Sequence, residues 1–186
     1  MRVLVPIADG SEEIEVVTLV DVLRRADADV CLASVMSNRR VEASRGVVIE
    51  ADCLLRDWDQ DPFDLIALPG GMPGAEHLSK SDLLLELLRR QLESGRWLGA
   101  ICAAPAVVLG RNGLINGFRA TCHRGFRDEL AGQVRETSGE AVVVDRNLVT
   151  SQAPGTALRF ALQLVSCLYG DDVARSVADP MRTDLG

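Results

Sequence analysis

Residues 2–34 read RVLVPIADGSEEIEVVTLVDVLRRADADVCLAS, and the order of patterns within them decides the fold. RVLVPIA (2–8) is a short apolar run with β-branched residues, which predicts a buried strand. DGSEEIEVVTLVDVLRRA (9–26) follows, with Ile14, Val17, Leu19, Val20 and Leu23 recurring near helical spacing. Its acids come early and Arg24 and Arg25 late, the order that a helix dipole favours. ADVCLASVM (28–36) reads as a second strand. A strand–helix–strand unit is the seed of a parallel sheet.

The alternation continues downstream. VEASRGVVIEADCLL (41–55) predicts two short strands turning at Arg45–Gly46, and FDLIALPGG (63–71) a third buried strand ending in a glycine turn. AEHLSKSDLLLELLRRQLESG (75–95) predicts a helix stopped by Gly95. RWLGAIC (96–102) is a fourth strand and AAPAVVLGRNG (103–113) a helix. RATCH (119–123) is a short strand candidate, and AVVVDRNLVTS (141–151) a hairpin. PGTALRFALQLVSCLYG (154–170) is a long amphipathic helix with Pro154 near its start. The sum is a three-layer α/β/α sandwich with a mainly parallel sheet, expected as one domain over 1–186. Ligand sites in such folds lie beyond the carboxyl ends of the strands. That directs attention to the turns after Ala8, Leu68 and Ile101, and to the segment around His123.

Composition narrows the function. The chain has 186 residues, 47% hydrophobic and 25% charged, with a formal net charge of -7. It carries no Lys/Arg run or aromatic-interleaved basic stripe, which argues against nucleic-acid binding as a main role. No apolar stretch nears the roughly 20 residues that span a bilayer. The N-terminus lacks the features of a secretory signal. A soluble, cytoplasmic protein is expected. Five cysteines, odd in number and scattered, contain no C-x-x-C. This argues against a disulfide framework, and neither cysteines nor the two histidines match a metal-ligand spacing.

Cys102 sits in GAICAAPAVVLG (99–110), at the end of an apolar run and before a small-residue segment. A thiol on a tight strand-to-helix turn is pushed out at the sheet's end, where a helix N-terminus and free N–H groups favour a thiolate and can hold an oxyanion. The other reading, a packed core cysteine, stays open. Glu15 begins just after the first strand and could face inward beside that thiol. Burial there would raise its pKa and let it donate a proton. Glu12 and Glu13 read as solvated. In LPGGMPGA (68–75), Gly71 is a candidate oxyanion donor and Gly70 allows close approach; a plain turn is the alternative. His123, 21 residues after Cys102, could reach the same sheet end and pair with the thiol, or be merely structural. His77 reads as a surface residue.

Taken together, ADGSEEIEVVTLVDVLRRA, SRGVVIEADCLL, FDLIALPGGMPGAEHL, GAICAAPAVVL and TSQAPGTALRFALQLV resemble, in order, the ThiJ/PfpI superfamily, in its Parkinson disease protein 7 and bacterial ThiJ-like branch. The resemblance covers nearly the whole chain. It implies a flavodoxin-like sandwich that forms a homodimer. Cys102 would be the nucleophile and Glu15 the protonated carboxyl beside it. Gly71 and Ala103 would offer N–H groups around the sulfur, with His123 nearby. Arg45 would reach towards the partner subunit's site, with Arg25 and Pro154 at the dimer interface. The implied activities are cofactor-independent conversion of methylglyoxal to lactate, repair of early glycation adducts, protection against oxidative stress and chaperone-like behaviour. An oxidation-sensing, non-enzymatic role for Cys102 is the alternative, and cysteine amidase or peptidase chemistry ranks last. Gln152 and Ala153 stand where close relatives often carry Arg and Gly.

Overall fold

The computed structural model describes residues 1–58 and 62–183. The first unit forms as the sequence predicts: β1 (Arg2–Ile7), α1 (Glu13–Arg25) and β2 (Asp29–Ser34), with β1 and β2 parallel. The Glu12 side chain caps α1 by accepting from the Glu15 amide at 2.9 Å. The hairpin at Arg45–Gly46 is β3 (Arg40–Glu42) with β4 (Val48–Glu50), a separate two-stranded ribbon. The chain then returns to the sheet as β5 (Cys53–Leu54).

The apolar runs at 65–68 and 97–101 become β6 (Leu65–Leu68) and β7 (Trp97–Ile101). The segment 75–95 is two helices, α2 (Gly74–Ser79) and α3 (Asp82–Glu93), because Ser81 starts a new helix by accepting from the Leu84 amide. After β7, the expected helix is a wide π-helical segment, Pro105–Gly110, with an i→i−5 bond from Arg111 N–H to Ala106 O. RATCH contributes only β8 (Arg119–Ala120). Periodicity gave no hint of α4 (Arg127–Ala131) or of β9 (Glu136–Thr137), which pairs with β8. The hairpin at 141–151 is β10 (Val142–Asp145) and β11 (Leu148–Ser151). α5 (Ala157–Tyr169) follows a short turn at Pro154, and α6 (Asp171–Ala178) was not anticipated.

The central sheet runs β10-β11-β7-β6-β1-β2-β5, parallel except at the β10 edge. Two apolar layers cover it. Leu19, Leu23, Phe160 and Leu164 from α1 and α5 pack one face; Leu78, Leu84, Leu88 and Val107 pack the other. One expectation is corrected on α1. Its inward stripe is Glu15, Val16, Leu19, Val22 and Leu23, whereas Ile14 and Val17 lie 56% and 55% exposed. The helix therefore carries a second apolar face that the chain itself leaves uncovered.

Candidate active site

The loops after β1, β6 and β7 meet at one end of the sheet, where the parallel strands all point their carboxyl ends. The β3–β4 hairpin is drawn over this end: Gly10 N–H donates to Glu42 O and Ser44 N–H to Ser11 O, both at 2.8 Å. Glu13 fastens it. Its carboxylate accepts from Ser44 Oγ and from the Arg45 amide, each at 2.8 Å. Glu13 is only 7% exposed, so the expectation of a solvated acid fails there. Burial pushes its pKa up, but the hydrogen bonds outweigh that and leave it below the usual carboxylate range. The result is a cavity of about 280 Å³ lined by Glu12, Ser44, Arg45, Gly71, Met72, Cys102, Ala103, His123, Phe126 and Pro154.

Cys102 closes the floor of that cavity. Its φ is +64°, a left-handed conformation that a side chain adopts at a cost of about 1–3 kcal/mol. Two bonds hold it there: its N–H donates to Ser151 O at 3.1 Å, and its carbonyl accepts from the His123 amide at 2.8 Å. The close fit explains Gly70, where an added Cβ would lie 2.6 Å from Cys102 Cβ. Gly71 has φ +86°, and a Cβ there would strike the Gly10 carbonyl at 2.4 Å.

Glu15 is fully buried. Its Oε2 accepts from the Gly70 amide at 2.7 Å; its Oε1 is buried without a hydrogen-bond partner. The Cys102 thiol is the donor-capable neighbour that interacts with this carboxyl, although not in ideal hydrogen-bond geometry. Burial raises the Glu15 pKa to about 7, opposed by the Gly70 amide and helped by the nearby Glu12 charge. Burial, and then the Glu15 charge, push Cys102 up to about 12, while the Gly71 and Ala103 amides pull it down. The backbone N–H groups expected to favour a thiolate do act in that direction, but burial and the Glu15 charge outweigh them. The following π-helical segment is short, and burial disfavours the charged form of both the thiol and the carboxyl. When Glu15 is neutral its repulsion vanishes, and it can donate to the sulfur.

The other expected residues are placed unequally. His123 lines the cavity, but its Nδ1 accepts from the Gly125 amide at 3.1 Å and its ring meets Phe126 edge-on. Among the described residues no carboxylate is hydrogen-bonded to its imidazole, so the orienting group of a Cys–His–acid triad is missing. Arg45 and Pro154 line the cavity of their own chain. Arg25 pairs with Asp21 at 2.7 Å on the exposed side of α1 and takes no part in the cavity. Gln152 donates to Gly139 O and Glu140 O, tying down a loop. Met72 and Phe126 were not anticipated; single apolar residues in loops carry no periodic signal. Among the described residues, no group of three or more His, Cys, Asp or Glu could hold a metal ion.

A thiol raised on a strained elbow at the carboxyl end of a parallel sheet, facing a buried carboxyl, defines a cysteine-centred α/β sandwich. The chain belongs to the DJ-1/PfpI family, which it matches over residues 1–167. It is 44% identical over 173 residues to protein DJ-1 homolog A of Arabidopsis thaliana, covering 93% of this chain and 44% of that one. The chain thus spans less than half the length of that relative. It is 37% identical to the glutathione-independent glyoxalase DJR-1.2 of Caenorhabditis elegans, covering 96% of this chain and 94% of that one. The solved structure described as Toxoplasma gondii DJ-1, oxidized, superposes with a TM-score of 0.93 at 41% identity, covering 98% of each chain. The fold is flavodoxin-like, as expected. No described helix is long and apolar enough to cross a membrane.

Proposed function

We propose that this protein is a cysteine-dependent, cofactor-independent glyoxalase acting on methylglyoxal-type α-oxoaldehydes or their early adducts, as one domain in the cytoplasm. The observation that carries this reading is the buried, unpartnered Glu15 Oε1 beside Cys102 at the floor of the cavity. Cys102 adds to the aldehyde carbon, forming a C–S bond, and its proton ends on the new oxygen. The Gly71 and Ala103 amides stabilise that oxygen while it is negative. Glu15, near pH 7 at its midpoint, takes the proton from the former aldehyde carbon and returns it to the neighbouring carbon, while the hydroxyl proton on the first carbon's oxygen passes to the former ketone oxygen. The product is an α-hydroxy thioester, which water hydrolyses to the hydroxyacid and the free thiol. One carbon is oxidised and its neighbour reduced, so no external electron carrier enters. The similarity to the glutathione-independent glyoxalase of Caenorhabditis elegans supports this chemistry.

The test is direct. Purified protein is mixed with methylglyoxal and lactate is followed by proton NMR. Wild type is expected to form lactate and Cys102→Ser to form none; a full rate in the variant would sink the assignment.

A second reading, oxidation sensing, is supported by the oxidised state named for the Toxoplasma relative. A neutral Glu15 would hydrogen-bond a sulfinate on Cys102, formed by two successive peroxide molecules that each give one oxygen and leave as water. Mass spectrometry after mild peroxide should then find that gain on Cys102 ahead of the other four cysteines.

A homodimer fits the uncovered face of α1. Ile14 and Val17 are exposed together with Val47 and Val48, and Val17 shares a groove with Ile49 of β4. An apolar surface of this kind marks an association site.

A further inference from the structure

The fold brings together two cysteines that the sequence presents as unrelated. Cys31 lies on β2, and Cys53 begins its parallel neighbour β5, in a register that sets Cys53 opposite Ala33. Cys31 is two positions before Ala33, so both thiols project from the same face of the sheet. Their sulfurs are 3.2 Å apart, and both residues are half-buried. Asp52 fixes the strand that carries Cys53, accepting from the Leu32 amide at 2.9 Å and from Arg24 at 3.0 Å. A disulfide needs about 2.05 Å, so the sulfurs must close by only about 1.2 Å from their 3.2 Å separation. β5 is a two-residue edge strand with β2 as its one neighbour in the sheet, which leaves it room to shift.

We propose that Cys31 and Cys53 form a redox-active dithiol, separate from Cys102, that closes to an intramolecular disulfide by exchange with a small-molecule disulfide. Burial and the adjacent Cys53 sulfur hold the Cys31 thiol well above the usual thiol range, and the two sulfurs share a hydrogen bond that either can donate. Cys53, on the short edge strand, makes the first attack. Its sulfur, as thiolate, bonds to one sulfur of the co-reactant, and the co-reactant's S–S bond breaks to release the first small thiol. Cys31 then gives up its proton and attacks Cys53 Sγ, displacing the second small thiol. The dithiol loses two electrons and two protons, and the small disulfide gains both.

The bridge would join the two ends of the excursion that carries the β3–β4 hairpin. Ser44 and Arg45, at the tip of that excursion, line the Cys102 cavity. Closing the loop at its roots therefore stiffens one wall of the site, where reduced Cys31 and Cys53 leave it held only by hydrogen bonds and by the packing of Val41, Ile49 and Ala51 on the core.

The full chain is equilibrated in buffers of graded reduced and oxidised glutathione, quenched with acid, digested and weighed. The expected result is a peptide pair linked through Cys31 and Cys53, lighter by two hydrogens, with two fewer titratable thiols. Cys102→Ser should give the same link and Cys53→Ser none. Two free thiols at every glutathione ratio, or a glutathione adduct that never closes, would overturn the proposal. Amide exchange at residues 43–47 should slow about threefold or more in the linked form; equal exchange would overturn the stiffening.

Discussion

The Gly70 amide donates a 2.7 Å hydrogen bond to Glu15 Oε2, joining the turn after β6 to the first turn of α1 across 55 positions of the chain. One oxygen of the carboxyl is thereby anchored, and the other is left for Cys102. Burial raises both groups, and each charge disfavours the other's.

Glu15 makes the fold pH-sensitive in a defined direction. Its pKa rises from 4.5 to about 7 on folding, so the native state binds the proton more tightly than the unfolded chain. The stability this contributes is complete below about pH 4.5 and is lost as pH climbs through about 7, a difference of about 3 kcal/mol. Glu15→Gln keeps the acceptor for Gly70 and cannot ionise. Its melting temperature should exceed that of wild type by about 5 °C or more at pH 8 and match it at pH 5. Thermal denaturation at the two pH values checks this, and a variant less stable at both would refute it.

The same Glu15→Gln protein should convert methylglyoxal about 100-fold or more slowly, since an amide cannot shuttle the proton between carbons. A stable fold with lost turnover separates chemistry from structure. Retained turnover would move the proton transfer to another group.

Gly70→Ala tests the crowding at the elbow. The new Cβ would lie 2.6 Å from Cys102 Cβ and 2.9 Å from the Ala103 nitrogen, both parts of a rigid turn. A destabilisation of about 2 kcal/mol or more is expected by denaturant titration, together with loss of turnover as the thiol is displaced. A neutral effect would show that the turn is softer than its contacts imply.

His123→Ala distinguishes a supporting residue from a triad base. The imidazole lines the cavity without a carboxylate partner among the described residues, so kcat should fall less than tenfold while KM rises. A loss as large as that of Cys102→Ser would restore the Cys–His reading.

Val17→Asp places a charge on the uncovered face of α1. Light scattering is expected to give twice the chain mass for wild type and the single chain mass for the variant. A monomeric wild type would remove the dimer from the account.

Much of this was legible in the chain because it is local. Apolar runs of strand length alternating with helical periods announce a parallel sheet, and an apolar run that stops at Cys102 puts that residue at a strand end, with core cysteine and elbow both open. Expectations failed where the deciding contact was distant. Glu13 looks like a solvated helix-start acid until the hairpin 31 and 32 positions away brings Ser44 and Arg45 to it. Ile14 and Val17 look like core positions until Glu15 and Val16 take the inward side of α1. The break at Ser81 was hidden by apolar residues running through both helices.

The sequence by itself determined the layer order, the sheet type and the end of the sheet to which Cys102 is brought. These follow from backbone periodicity and turn chemistry, which neighbouring residues set. Only the tertiary structure decided that Glu15 would be buried beside Cys102 with one oxygen against Gly70, and that Cys31 would meet Cys53. Burial and long-range register govern those two pairs, and neither is written in the spacing of residues along the chain.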